Sequence, residues 1–128
     1  MGGRWRTFGT REYGQWYQTT LNDQERDAIV DALRHLQADG PALRRPLSGQ
    51  IKSSRFKHMK ELIPRRAHVR ILYIFDPNRD AILLLGGDKT NDWVGWYDRN
   101  VQLADAIYER HLTTVRGPTP TASRREQR

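Results

Sequence analysis

Nine cationic side chains lie between Arg44 and Arg70: Arg44, Arg45, Lys52, Arg55, Lys57, Lys60, Arg65, Arg66 and Arg70. The only anion among them is Glu61, which leaves nine minus one, a net +8, in this stretch; the rest of the chain sums to −1, so the whole of the formal charge of +7 sits here. Solubility alone does not require the two signs to be kept apart. A concentrated cationic patch suits a polyanion, and nucleic acid is the default candidate. The residue types also suit a particular reaction. RNA breaks without a metal when its own 2′-hydroxyl attacks the adjacent phosphate. A protein then has to help remove the 2′ proton, stabilise the extra charge at phosphorus and protonate the departing 5′-oxygen.

Arginine fits the second task, because its planar fork matches phosphate oxygens. Lysine serves as a point charge, or as an acid or base where neighbouring cations lower its pKa. On these grounds the candidate catalytic residues are Arg70, Lys60, Glu61, His58 and Lys89, with His58 and Glu61 the conventional proton-transfer groups. Arg55, Lys57, Arg65 and Arg66 extend the surface for a polyanion, and Tyr97 can stack on a base. Each has a plainer reading. Arg70 pairs with Glu61, His58 and Lys60 are solvated, Lys89 is a turn lysine, and Tyr97 is core.

Strand-like and helical segments must position these residues. Trp5–Phe8 reads as a short strand. Tyr13, Trp16 and Tyr17 follow at helical spacing behind a Thr10 cap. Asn22 and Glu25 form a capping box before a stripe of Ala28, Ile29, Ala32, Leu33 and Leu36, and Gly40-Pro41 end that helix. The two helices predict a hairpin. A Pro/Ser/Gly-rich connection follows, with a short strand near Ile51. Phe56–Ile63, Val69–Phe75 and Asp80–Leu85 read as strands. Asp76-Pro77-Asn78 turns the last two into a hairpin, and Gly86-Gly87 break the third. Alternation puts His58 and Lys60 on one side of the first, with Lys57, Met59, Glu61 and Ile63 on the other. Asn91 or Asp92 caps a last helix that buries Trp93, Trp96, Tyr97, Val101, Ala104, Ile107, Tyr108 and Leu112. The segregated order predicts an α+β fold. Residues 1–116 are expected to form one domain and residues 117–128 a disordered basic tail.

Several classes find no support. The chain has no cysteine, so there is no disulfide framework and no thiolate metal site. Its four histidines lack ligand spacing, so neither a metal nor another cofactor is expected. Gly86-Gly87-Asp88-Lys89-Thr90 lacks the spacing of a phosphate-binding loop. No apolar run reaches membrane-spanning length and no signal peptide is evident, which predicts a cytoplasmic protein without membrane contact.

The segments Ser54–Leu62, Val69–Pro77, Ala81–Thr90, Ala104-Asp105 and Tyr108–Leu112 resemble the RelE/ParE toxin superfamily, specifically its phage-derived HigB-like branch. The resemblance covers about residues 5 to 113, with Arg55 to Thr90 its specific part. It implies a RelE-like fold: a small antiparallel sheet flanked by an N-terminal helical hairpin and a C-terminal helix. It also implies an mRNA endoribonuclease (an mRNA interferase) that needs no metal, acts at the ribosome and inhibits translation. A cognate antitoxin, commonly a helix-turn-helix protein, would restrain it. In Val69-Arg70-Ile71-Leu72-Tyr73 the phosphate-contacting arginine of the family falls on Arg70. Lys60 and Glu61 match the proton-transfer strand, Lys89 the basic residue after the last strand, and Tyr97 the nearby aromatic. Many members carry a basic residue after the Glu-Leu pair, where this chain has Ile63, with Arg65 and Arg66 close behind. Two other readings remain open: a non-catalytic nucleic-acid-binding module, and a gyrase poison of the ParE branch.

Overall fold

The computed structural model describes residues 4–88, 90 and 93–116. Thr7–Gly9 (β1) leads into two helices, Arg11–Thr20 (α1) and Asp23–Asp39 (α2), and a 3-10 turn over Gly40–Ala42. Four strands follow: Ser48–Gln50 (β2), Lys60–Leu62 (β3), Val69–Phe75 (β4) and Ala81–Asp88 (β5). Trp93–Arg116 (α3) closes the fold. One sheet holds all five strands in the order β1-β5-β4-β3-β2.

Local chemistry fixes the helical hairpin. The Thr10 side chain accepts the Tyr13 N–H at 3.1 Å and donates to the Leu84 carbonyl at 2.6 Å, so one residue caps α1 and ties it to β5. Asn22 and Glu25 complete the reciprocal capping box. Gly40 ends α2 at a φ of +58°, and a Cβ there would lie 2.4 Å from the Trp5 indole. Glycine therefore serves both the backbone and the ring beside it. Pro41 turns the chain through the 3-10 turn rather than simply ending the helix.

Alternation along β4 divides the core. Val69, Ile71 and Tyr73 pack with Leu62, Ala81, Leu83 and the hairpin residues Tyr13, Ile29, Ala32 and Leu36. Leu72 and Ile74 pack on the other face with Ile82, Leu84 and α3 residues Trp96, Val101, Ala104, Ile107 and Tyr108. The result is three layers: hairpin, sheet, α3. A register shift between Leu72 and Tyr73 leaves Leu84 without a β4 partner, which lets Leu84 and Leu85 both join the α3 side. The two faces are also stitched outside the sheet, by the bidentate pair of Arg110 on α3 with Glu12 on α1.

The structure corrects four expectations. The sheet is mixed, because β1 pairs in parallel with β5, while the other pairings are antiparallel. Both edge elements shift slightly: β1 begins at Thr7, and the strand expected near Ile51 ends at Gln50. Phe56–Ile63 is a strand only over Lys60–Leu62, so the expected pairing of His58 with Lys60 on one face does not arise. Residues 52–58 are drawn off the sheet by buried Asp105 on α3, which accepts from Ser54 Oγ at 2.5 Å and Arg55 N at 3.0 Å. Finally, Gly86 and Gly87 carry β5 onward to Asp88. A Cβ on Gly86 would meet Trp16 at 2.3 Å, and one on Gly87 would meet Trp96 at 2.5 Å. Two bare backbone positions thus seat one indole on each face. The proposed Asn91/Asp92 cap and the tail beyond Arg116 lie outside the described residues.

Candidate active site

The α3 face of the sheet gathers three of the expected residues. Arg70, the second residue of β4, lies opposite Gly87, Glu61 lies in the middle of β3, and Tyr97 projects from the first turns of α3. The Tyr97 hydroxyl donates to Glu61 Oε1 at 2.6 Å. Arg70 Nε lies 3.8 Å from the same oxygen, inside ion-pair range but beyond hydrogen-bond range. Arg70 Nη1 donates to the Val69 carbonyl at 2.8 Å. The Arg70 and Glu61 side chains are only 15% and 9% exposed, so the pair lies in a partly dried setting where charge interactions are strong. Burial, and then the Glu61 carboxylate, push the Tyr97 phenol above its ordinary value, so it keeps its proton and donates the hydrogen bond to Glu61.

Among the described residues, Arg70 Nε is the buried side-chain nitrogen that lacks a hydrogen-bond partner. Such a group is costly, roughly 1–3 kcal/mol or more for a charged donor, unless a ligand completes it. The plain pairing of Arg70 with Glu61 is therefore present but incomplete.

The remaining expected residues lie apart from this cluster. Lys60 pairs across the sheet with Tyr73 and so faces the hairpin side, opposite Glu61 and Arg70. Its Nζ donates to the Pro41 carbonyl at 3.2 Å, and burial lowers its pKa. His58 and Lys57 are exposed in the turn before β3. Arg55 lies over the Phe56 ring and pairs with Glu109 at 2.9 Å and, at 4.0 Å, with Asp105. Asp105 is eight residues beyond Tyr97, about 12 Å along a helix axis. Arg65 is turned to the hairpin, where it meets Asp31 at 3.2 Å and His35. Arg66 is exposed, with a φ of 65°. Lys89 lies outside the described residues. The cationic stretch is therefore spread over both faces, and among the described cations of the expected set Arg70 is the one that reaches Glu61 and Tyr97.

One residue that sequence reasoning did not single out stands beside the cluster. Gly49 on β2 pairs directly with Glu61, and a Cβ on it would lie 2.9 Å from Arg45 Nη2 and 3.5 Å from Glu61 Oε2. The available signal was a glycine in a strand, which marks close approach by another group. Among the described residues, no group of His, Asp or Glu is placed to hold a metal, and no helix is long and apolar enough to cross a membrane.

Comparison with known proteins agrees with the residues that carried the resemblance. Residues 17–109 match the family described as phage-derived protein Gp49-like (DUF891). A Mycobacterium tuberculosis protein named "Putative toxin HigB3" is 42% identical over 103 residues, covering 80% of this chain and 90% of its own length. A second protein of the same organism, "Putative toxin HigB2", is 37% identical over 110 residues, covering 84% of this chain and 55% of its own length. The chain belongs to the phage-derived Gp49-like family, among the HigB-like toxins.

Proposed function

We propose that this toxin is a metal-independent endoribonuclease that cuts mRNA at the ribosome and so arrests translation. One observation carries the reading: a nearly buried guanidinium, Arg70, with an unspent Nε–H, held beside a carboxylate and a phenol. In this mechanism the Arg70 side chain shifts so that its guanidinium binds the non-bridging oxygens of the scissile phosphate, and the Nε–H, which has no partner at rest, gains one as charge develops at phosphorus. Glu61 takes the proton of the attacking 2′-hydroxyl. The new bond joins the 2′-oxygen to phosphorus, the bond to the 5′-oxygen breaks, and that oxygen takes up a proton. The products are a 2′,3′-cyclic phosphate and a 5′-hydroxyl. Tyr97 orients Glu61 through the 2.6 Å hydrogen bond. Lys89, two residues past the Gly87 that pairs with Arg70, is the proposed source of the final proton. A cognate antitoxin of the helix-turn-helix type is the proposed partner, acting in the cytoplasm, and residues 1–116 are the proposed toxin domain.

The placing of Lys60 and Arg65 on the hairpin side, and of Lys57 in the turn before β3, away from Glu61, favours a second reading, a non-catalytic RNA-binding module. One experiment separates the two. Purified protein is added to ribosomes programmed with a defined mRNA, and the RNA ends are mapped. New ends bearing a 2′,3′-cyclic phosphate support the nuclease. Bound but intact RNA refutes it.

A further inference from the structure

Arg45 sits in the connection before β2, exposed to solvent. Its guanidinium lies against Gly49: a Cβ there would be 2.9 Å from Nη2 and 3.2 Å from Cζ. Gly49 is buried and pairs with Glu61, so the missing side chain lets the Arg45 guanidinium lie against the strand on the face that Glu61 occupies. Glu61 Oε2 borders the same spot, whereas Oε1 is engaged by Tyr97 and Arg70. Two guanidinium groups therefore flank one carboxylate from different sides. Among the described residues no carboxylate lies within ion-pair distance of Arg45, so its charge is unspent.

We infer that Arg45 is a second phosphate-binding arginine, and that Gly49 is the residue that admits it; this rests on the nuclease reading above. The ligand class is a phosphodiester of single-stranded RNA. When the 2′ proton moves to Glu61, the carboxyl becomes neutral and the pentavalent phosphorus group carries two negative charges. The proposed Lys89 proton goes to the departing 5′-oxygen, so the two non-bridging oxygens are left to the fixed charges of Arg70 and Arg45, in a partly dried setting where such pairing is strong.

The test compares Arg45→Ala, Arg45→Lys and Gly49→Ala with Arg34→Ala, an exposed arginine on α2 that controls for lost charge. Two measurements are made on the full chain: the single-turnover cleavage rate of mRNA on programmed ribosomes, and the binding of a 2′-O-methyl RNA, which cannot be cut, across a salt series. Arg45→Ala should slow cleavage roughly 100-fold, the scale of one lost transition-state donor. It should also reduce the log–log salt slope by about 0.7, the value for one single-stranded phosphate contact. Arg45→Lys should keep that slope and recover only part of the rate, because the planar fork is lost. Gly49→Ala keeps both charges and displaces only a flexible guanidinium, so its rate should fall while the fold survives. Arg45→Ala behaving like Arg34→Ala in rate overturns the inference and leaves the nuclease reading standing. If the wild type cuts no RNA, the nuclease reading falls, and the salt slope still decides the phosphate contact: an unchanged slope in Arg45→Ala overturns it.

Discussion

Replacing Tyr97 by phenylalanine removes one oxygen atom and leaves the ring edge-on to Trp96, 5.0 Å between centroids. The oxygen lost is the one that donates to Glu61 at 2.6 Å. The Glu61 side chain is 9% exposed, and Arg70 Nε, at 3.8 Å, is too far to replace the hydrogen bond. Hydrogen bonds to charged groups contribute about 1.5–3 kcal/mol. Tyr97 is half-buried, so water can reach the vacated position and the lower end of that range, about 1.5 kcal/mol, applies. For a domain of this size the loss corresponds to a fall in Tm of roughly 5–8 °C. The assay is urea unfolding followed by tryptophan fluorescence, run as a double-mutant cycle with Glu61→Gln. Tyr97→Phe should cost clearly less in the Glu61→Gln background, with a coupling of about 1 kcal/mol. Equal losses in the two backgrounds would refute the idea that the phenol acts on this carboxylate.

Acid should weaken the link between the two helical layers. Arg110 holds the Glu12 carboxyl down at about 2 from an ordinary value of 4.5. A depressed carboxyl contributes stability that is complete above 4.5 and is lost as pH falls from there toward 2. Arg110 is 52% exposed, so solvent screening reduces the contribution to about 1 kcal/mol. Arg110→Ala should flatten the stability curve over that window, and an unchanged acid limb would count against the pair. Gly87→Ala would place a Cβ 2.5 Å from the Trp96 indole and should cost about 1–3 kcal/mol by overpacking; a Tm at the wild-type value would show that the indole is not seated there. Asp105→Ala frees Ser54 Oγ and the Arg55 amide. Hydrogen exchange at Arg55 should accelerate markedly, and undiminished protection would mean that Asp105 does not hold the loop.

The sequence was most informative where neighbours in the chain decide the structure. The Asn22/Glu25 box, the Thr10 cap and Gly40 each work within a few residues of themselves. Val69–Phe75 was bounded correctly because a β-branched and aromatic run ends at a strong turn, where Asp76 accepts the Asp80 amide at 3.0 Å. Alternation also separated Lys60 from Glu61 correctly. It did not reveal which of them shares a face with Arg70, because that depends on the register between β3 and β4. Other features needed distant partners. Residues 52–58 leave the sheet because Asp105 captures Ser54 from 51 positions away. Gly86-Gly87 resembled a break until Trp16 and Trp96 were placed against them. Arg45 was one cation among nine, and only the pairing of Gly49 with Glu61 distinguishes it.

The central claim is that Arg70 neutralises the charge that builds on a breaking phosphodiester. Its most direct test is the single-turnover cleavage rate of Arg70→Ala on mRNA-programmed ribosomes, with near-UV circular dichroism confirming that the aromatic cluster around Trp96 and Tyr97 stays packed. A fall of roughly 100- to 1,000-fold in a folded protein is the predicted result. Cleavage at the wild-type rate by a folded Arg70→Ala protein would contradict the account.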